Sequence, residues 1–113
     1  MSEADAAGRG HVLERLRALA VSGEIRITQH AHQEMVEEDI RVDEVLEVIR
    51  TGAILEYYAE HRRGACCLLG GTTQAGRPLH LVCTTALPTI IVVTAYEPMP
   101  PKWVSVTERG HRQ

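Results

Sequence analysis

The sequence predicts an α+β domain: an N-terminal helix, a β-α-α segment, then a four-stranded antiparallel meander with the helices packed on one face of the sheet. Three observations carry this. Up to residue 51 the apolar residues recur at spacings of three and four. From Ala53 onward they recur at two. The gaps between the later strands are each short enough to close a hairpin.

The elements follow in order. Residues 1–8 are small and polar, and are expected to be a flexible N-terminus. Val12, Leu13, Leu16, Leu19 and Ala20 repeat at helical spacing until Gly23, which places a helix at about 9–21. Ile25 and Ile27 share one face of a short β segment. Thr28 is the expected N-cap of a second helix running to about Glu38, with Ala31 and Met35 turned inward. Ile40 marks a bend. Val42, Val45, Leu46 and Ile49 define a third helix, with Asp43 and Glu44 near its positive end and Gly52 as its glycine stop. Strands are then expected at 53–60, 65–69, 78–85 and 89–97. Pro98, Pro100 and Pro101 end the last one, and Trp103 is expected to fold back as an apolar lid over a sheet edge. The result is one domain over 9–104, followed by a flexible tail at 105–113.

Hairpin centres near Gln74 and Leu87 set His80 opposite Leu68 and Thr94, and Val82 opposite Val92. One face then carries Cys67, Leu69, Leu79, Leu81, Cys83, Ile91, Val93 and Ala95, and should lie under the helices. The other carries Cys66, Leu68, His80, Val82, Thr84, Thr94 and Tyr96. On this reading His80 and Tyr96 look out from the centre of an uncovered face.

Bulk properties narrow the function. The chain has 113 residues, 44% hydrophobic and 24% charged, an ordinary balance for a globular protein. No run approaches ~18 apolar residues and no signal-peptide pattern opens the chain, so a cytoplasmic protein without membrane association is expected. Cys66 and Cys67 are adjacent along a strand and point to opposite faces, which favours reduced core thiols over a disulfide framework. The net charge of −3 is unevenly spread. Residues 24–60 hold ten acids against Arg26, Arg41 and Arg50, while residues 61–113 hold two acids against six bases. That segregation suggests two surfaces with different partners.

Two histidines stand out. His30 opens the second helix, where unpaired backbone N–H groups attract anions, and Glu34 lies one turn on. An imidazole there serves as a base near a phosphate, or simply wedges the turn between strand and helix. Of the two, His80 is the better candidate: its strand places it beside Tyr96 with Arg77 just before the strand, either as an acid–base group or as a surface residue of a solvated sheet, while His30 more readily organises the turn. Cys-x-x-Cys, His-x-x-x-His and His-Glu-x-x-His are all absent, and His30 and His32 diverge by about 200° on a helix. No metal and no cofactor is therefore predicted. Phosphate-cradling glycine loops and serine-nucleophile arrangements are likewise missing.

Taken together, Ile27-Thr28-Gln29-His30-Ala31, Met35, Ile40, Asp43-Glu44-Val45, Gly52, Glu56-Tyr57, Cys67-Leu68-Leu69-Gly70, Gly76-Arg77-Pro78-Leu79-His80 and Tyr96-Glu97-Pro98 with Lys102-Trp103 resemble the small bacterial family called domain of unknown function 4258. The resemblance covers about residues 24–104. The chain departs from it at Glu38, where an arginine is usual, and at Arg41, where a serine or threonine usually caps the next helix. The family is similar in element order to the RelE and BrnT groups of toxin ribonucleases, and its members often neighbour a small zinc-finger, antitoxin-like protein. The resemblance thus implies the toxin half of a toxin–antitoxin pair that cleaves RNA without a metal. In that chemistry a ribose 2′-hydroxyl attacks the adjacent phosphate while a base removes its proton and cations hold the developing charge. By role, His80 or His30 would be base or acid, Arg77 or Arg62 would hold phosphate, and Tyr96 would orient or stack a base. Arg62, Arg63 and Lys102 would contact RNA. The competing expectation is a non-catalytic module that binds a protein partner through the open sheet face or an edge strand.

Overall fold

The computed structural model describes residues 3–99, with side chains from Gly8 onward, together with Val106 and Thr107. Three helices, α1 (Glu3–Val21), α2 (Gln29–Glu37) and α3 (Val42–Thr51), accompany five strands. These are β1 (Ile25–Ile27), β2 (Ala53–Tyr58), β3 (Cys66–Thr72), β4 (Pro78–Thr84) and β5 (Ile90–Tyr96). The predicted helix at 9–21 begins six residues earlier, at Glu3, because Gly8 and Gly10 do not interrupt it. Trp103, Lys102 and the expected tail lie outside the described residues, Val106 and Thr107 excepted.

Strands β2 to β5 form the expected antiparallel run, but the sheet is five-stranded and mixed, in the order β1-β5-β4-β3-β2. β1 joins β5 in parallel, with Ile25 beside Ile90 and Ile27 beside Val92. α2 and α3 carry the chain from this edge to the opposite one, the kind of crossover that leaves a short strand beside a parallel neighbour.

Alternation places Cys67, Leu69, Leu79, Leu81, Cys83 and Ala95 in the core with the helices, as predicted. Two positions differ. Val82 pairs with Thr94, but Cys83 pairs with Val92, so a bulge leaves Val93 as an extra residue. The bulge exchanges faces beyond it, and Ile90 and Val92 enter the core in place of Ile91 and Val93. Each hairpin is also shifted by two, which sets His80 beside Gly70 and Tyr96 without changing its face.

Three arginines staple α1 to the body through backbone carbonyls. Arg9 reaches Ile54, Arg15 reaches Thr85 and Leu87, and Arg17 reaches Ile49 and Gly52. Between them Leu16 is fully buried, with Val12, Leu13 and Leu19 packed around the core. α2 starts at Thr28, whose Oγ1 accepts the Ala31 N–H at 3.1 Å. It ends at Glu37, with Glu38 as its C-cap and Asp39 beyond it in the left-handed region at φ 54°. Arg41 leaves α3 without a side-chain cap, and Glu44 Oε1 compensates by accepting the Arg41 N–H at 3.0 Å.

All three cysteines are free and buried. Hydrogen bonding with the cross-strand Cys67 and burial hold the Cys83 thiol well above its ordinary pKa. Burial and the neighbouring Cys67 push Cys66 up, against a smaller pull from Arg63. A folded sample at pH 7–8 is therefore expected to resist a thiol reagent at all three positions, and to react fully in denaturant. Rapid modification of any thiol in the native protein would contradict this account.

Candidate functional site

His30 projects from the first turn of α2, and its side chain is 70% exposed. Its Nε2 lies 3.4 Å from Glu34 Oε1, one helical turn on. That carboxylate oxygen is itself fixed: it accepts the Thr94 hydroxyl and the Ala95 N–H, the latter at 3.2 Å. Beyond the end of β1 the outer edge of β5 has no strand beside it among the described residues. There Glu34 caps Ala95, and Glu38, one turn further along, caps the Glu97 N–H at 3.0 Å. An exposed imidazole is thus held against a carboxylate that the sheet itself orients. The i, i+4 spacing announced the His30–Glu34 pair; Thr94 and Ala95 could be joined to it only through the tertiary fold.

His80 does not look out from an open face: it is fully buried. Cys66, Leu68 and Thr84 on the same face are buried too. Over His80 lies Val106, whose carbonyl is 2.6 Å from Nε2. A carbonyl only accepts, so Nε2 carries the hydrogen, and Nδ1 is left to accept from the Tyr96 hydroxyl at 3.2 Å. The two rings meet edge to face with centroids 5.3 Å apart. Sequence alternation located this pair; it could not show that a segment 26 residues downstream covers it.

Arg77 lies on the other side. It shares the parity of Leu79 and Leu81, so its side chain turns to the helices while His80 turns away. Its guanidinium donates to the carbonyls of Glu38 and Asp39 at the end of α2. It also faces Glu44 at 3.5 Å and Glu97 at 3.8 Å. The structure therefore joins His80 with Tyr96 and His30 with Glu34 and Thr94; the sheet separates Arg77 from His80, and Arg77 meets only the far end of the helix that carries His30. Arg62 and Arg63 are exposed in the β2–β3 turn, at the edge of the sheet remote from His30. Lys102 lies outside the described residues. Among the described residues no three His, Cys, Asp or Glu side chains converge as a metal-binding group.

The family described as Domain of unknown function (DUF4258) matches residues 27–97, well over half of the chain. The chain belongs to that family. The DUF4258 match opens at Ile27 and closes at Glu97, so it contains both histidines and the whole α2–β5 contact. Within the matched region Glu38 closes the β5 edge by accepting the Glu97 N–H. Neither a curated protein nor a solved structure matches the chain. Among the described residues no helix is long and apolar enough to cross a membrane.

Proposed function

We propose that this DUF4258 domain is the toxin component of a toxin–antitoxin pair, cleaving RNA by metal-independent chemistry with His30 as the base. One observation supports this most: an exposed imidazole whose orienting carboxylate is anchored by Thr94 and Ala95. With Nε2 turned to Glu34, Nδ1 is the atom available to take the proton of a ribose 2′-hydroxyl. The 2′-oxygen bonds to phosphorus, the P–O5′ bond breaks, and the departing oxygen takes up a proton. Thr28 takes the Ala31 and His32 amides, and those of Gln29 and His30 face the same end and favour a phosphate there. Tyr96, two residues from Thr94, would stack a base, and Arg62, Arg63 and Lys102 would hold the backbone. A small zinc-finger protein would be the antitoxin.

The test is cleavage of RNA by the purified protein, with and without ribosomes. His30→Ala should lower the rate at least about 100-fold, the usual share of a general base, while leaving the far-UV spectrum unchanged. A second reading, a non-catalytic interaction module, draws support from His80 and Arg77, whose polar atoms are engaged inside the fold. Wild-type protein that leaves RNA intact in both conditions would abandon the first reading for the second.

A further inference from the structure

A groove of about 420 Å³ runs between α1 and α3, floored by Ala20, Val21 and Leu46 and edged by Arg17, Asp43, Glu47 and Arg50. Two of these charges are committed inside the molecule. Arg17 donates to the carbonyls of Ile49 and Gly52, each at 3.1 Å, and Glu47 accepts the Gln74 N–H at 2.8 Å. Asp43 and Arg50 remain, both exposed and without a side-chain partner among the described residues. They have opposite signs and lie seven residues apart on one face of α3, about 10 Å along its axis. Leu46 stands between them, and Val21 is 91% exposed beside them.

This stripe is complementary to itself reversed. A two-fold rotation about the middle of α3 sets Asp43 over Arg50 and Arg50 over Asp43, with Leu46 near the axis. A uniformly cationic partner would meet Arg50, and a uniformly anionic one would meet Asp43; a second copy satisfies both ends. We propose that this face joins two copies of the chain, with their α3 helices antiparallel and two Asp43–Arg50 pairs across the seam. Val21 and Leu46 of each copy close the groove of the other. Glu47 and Arg17, the charges that would otherwise crowd the seam, are drawn away by Gln74 and by the α3 carbonyls.

Sedimentation equilibrium on the full chain tests the proposal. The wild type is expected at twice the 12.5 kDa chain mass. Asp43→Arg and Arg50→Asp should each raise the dissociation constant at least about 100-fold, because like charges then face each other twice. Mixing these two variants in equal amounts should restore the dimer, since one chain then offers two cations where the other offers two carboxylates. That rescue separates a seam contact from damage to the fold. A wild type that stays at 12.5 kDa at its highest soluble concentration overturns the proposal, even if the face then captures another protein. So do single variants that dimerise like the wild type, or a mixture that stays monomeric.

Discussion

Replacing Gly52 by alanine is expected to destabilise the domain by at least about 3 kcal/mol, the upper part of the range for overpacked sites. Gly52 joins α3 to β2. A Cβ placed on it would lie 2.5 Å from the Val48 carbonyl oxygen and 2.7 Å from that of Gly70. Both obstacles are backbone. The first belongs to the bond that ends α3, in which the Gly52 N–H donates to Val48 at 2.7 Å. The second belongs to β3, the strand on which β2 is paired. Relief would require pulling the helix end from the sheet, which would also strain the Arg17 bond to the Gly52 carbonyl. The melting temperature should fall by roughly 10 °C or more. Gly10→Ala is the control: its Cβ would meet nothing within 4 Å on the exposed side of α1, and the helix should gain up to about 1 kcal/mol. A Gly52→Ala protein that melts with the wild type would show that the α3–β2 junction yields at little cost, and would overturn this account.

Arg77→Ala is expected to cost about 2–3 kcal/mol, in line with hydrogen bonds to charged groups that are mostly shielded from water. The guanidinium gathers the Glu38 and Asp39 carbonyls just after α2, the Glu44 carboxylate at the start of α3, and Glu97 just after β5. Without it, two carboxylates and two carbonyls converge with no cation between them. Its backbone also closes the β3–β4 turn through Thr73. Arg77→Lys should recover less than half of the loss, because one ammonium cannot reproduce a planar fork reaching two carbonyls and two carboxylates. Urea titration is the measurement: the midpoint should fall with an unchanged slope. A loss below about 0.5 kcal/mol, the level typical of an exposed ion pair, would return Arg77 to the pool of cations available for a ligand.

The strand alternation was enough to find most of the core, since Cys67, Leu69, Leu79, Leu81, Cys83 and Ala95 do turn to the helices. It misplaced Ile91 and Val93 because a bulge adds one residue without leaving any composition signal in Ile90-Ile91-Val92-Val93. β1 was visible as a strand, but three residues cannot announce a parallel neighbour sixty-five positions away. The same limit governs the site. His30 and Glu34 are four apart on one helix, so their contact could be read locally. The burial of His80 depends on Val106, and the engagement of Arg77 depends on where α2 ends. Gly52 does stop α3, as its place in the sequence suggests, but with φ −80° its need for glycine comes from two carbonyls converging on it, which only the fold brings together.

One oxygen of Glu34 holds two offices. It terminates the β5 ladder at Ala95 and it steadies the His30 ring. An amide in its place could still accept the backbone hydrogen, but it would no longer offer a full negative charge to the imidazole. A shorter carboxylate would keep the charge and fall short of the sheet. Sequence drift at this position is therefore constrained from two directions at once, and the reactivity of the ring is tied to the integrity of the strand edge. A domain built this way cannot retune its exposed histidine through Glu34 and leave its architecture untouched.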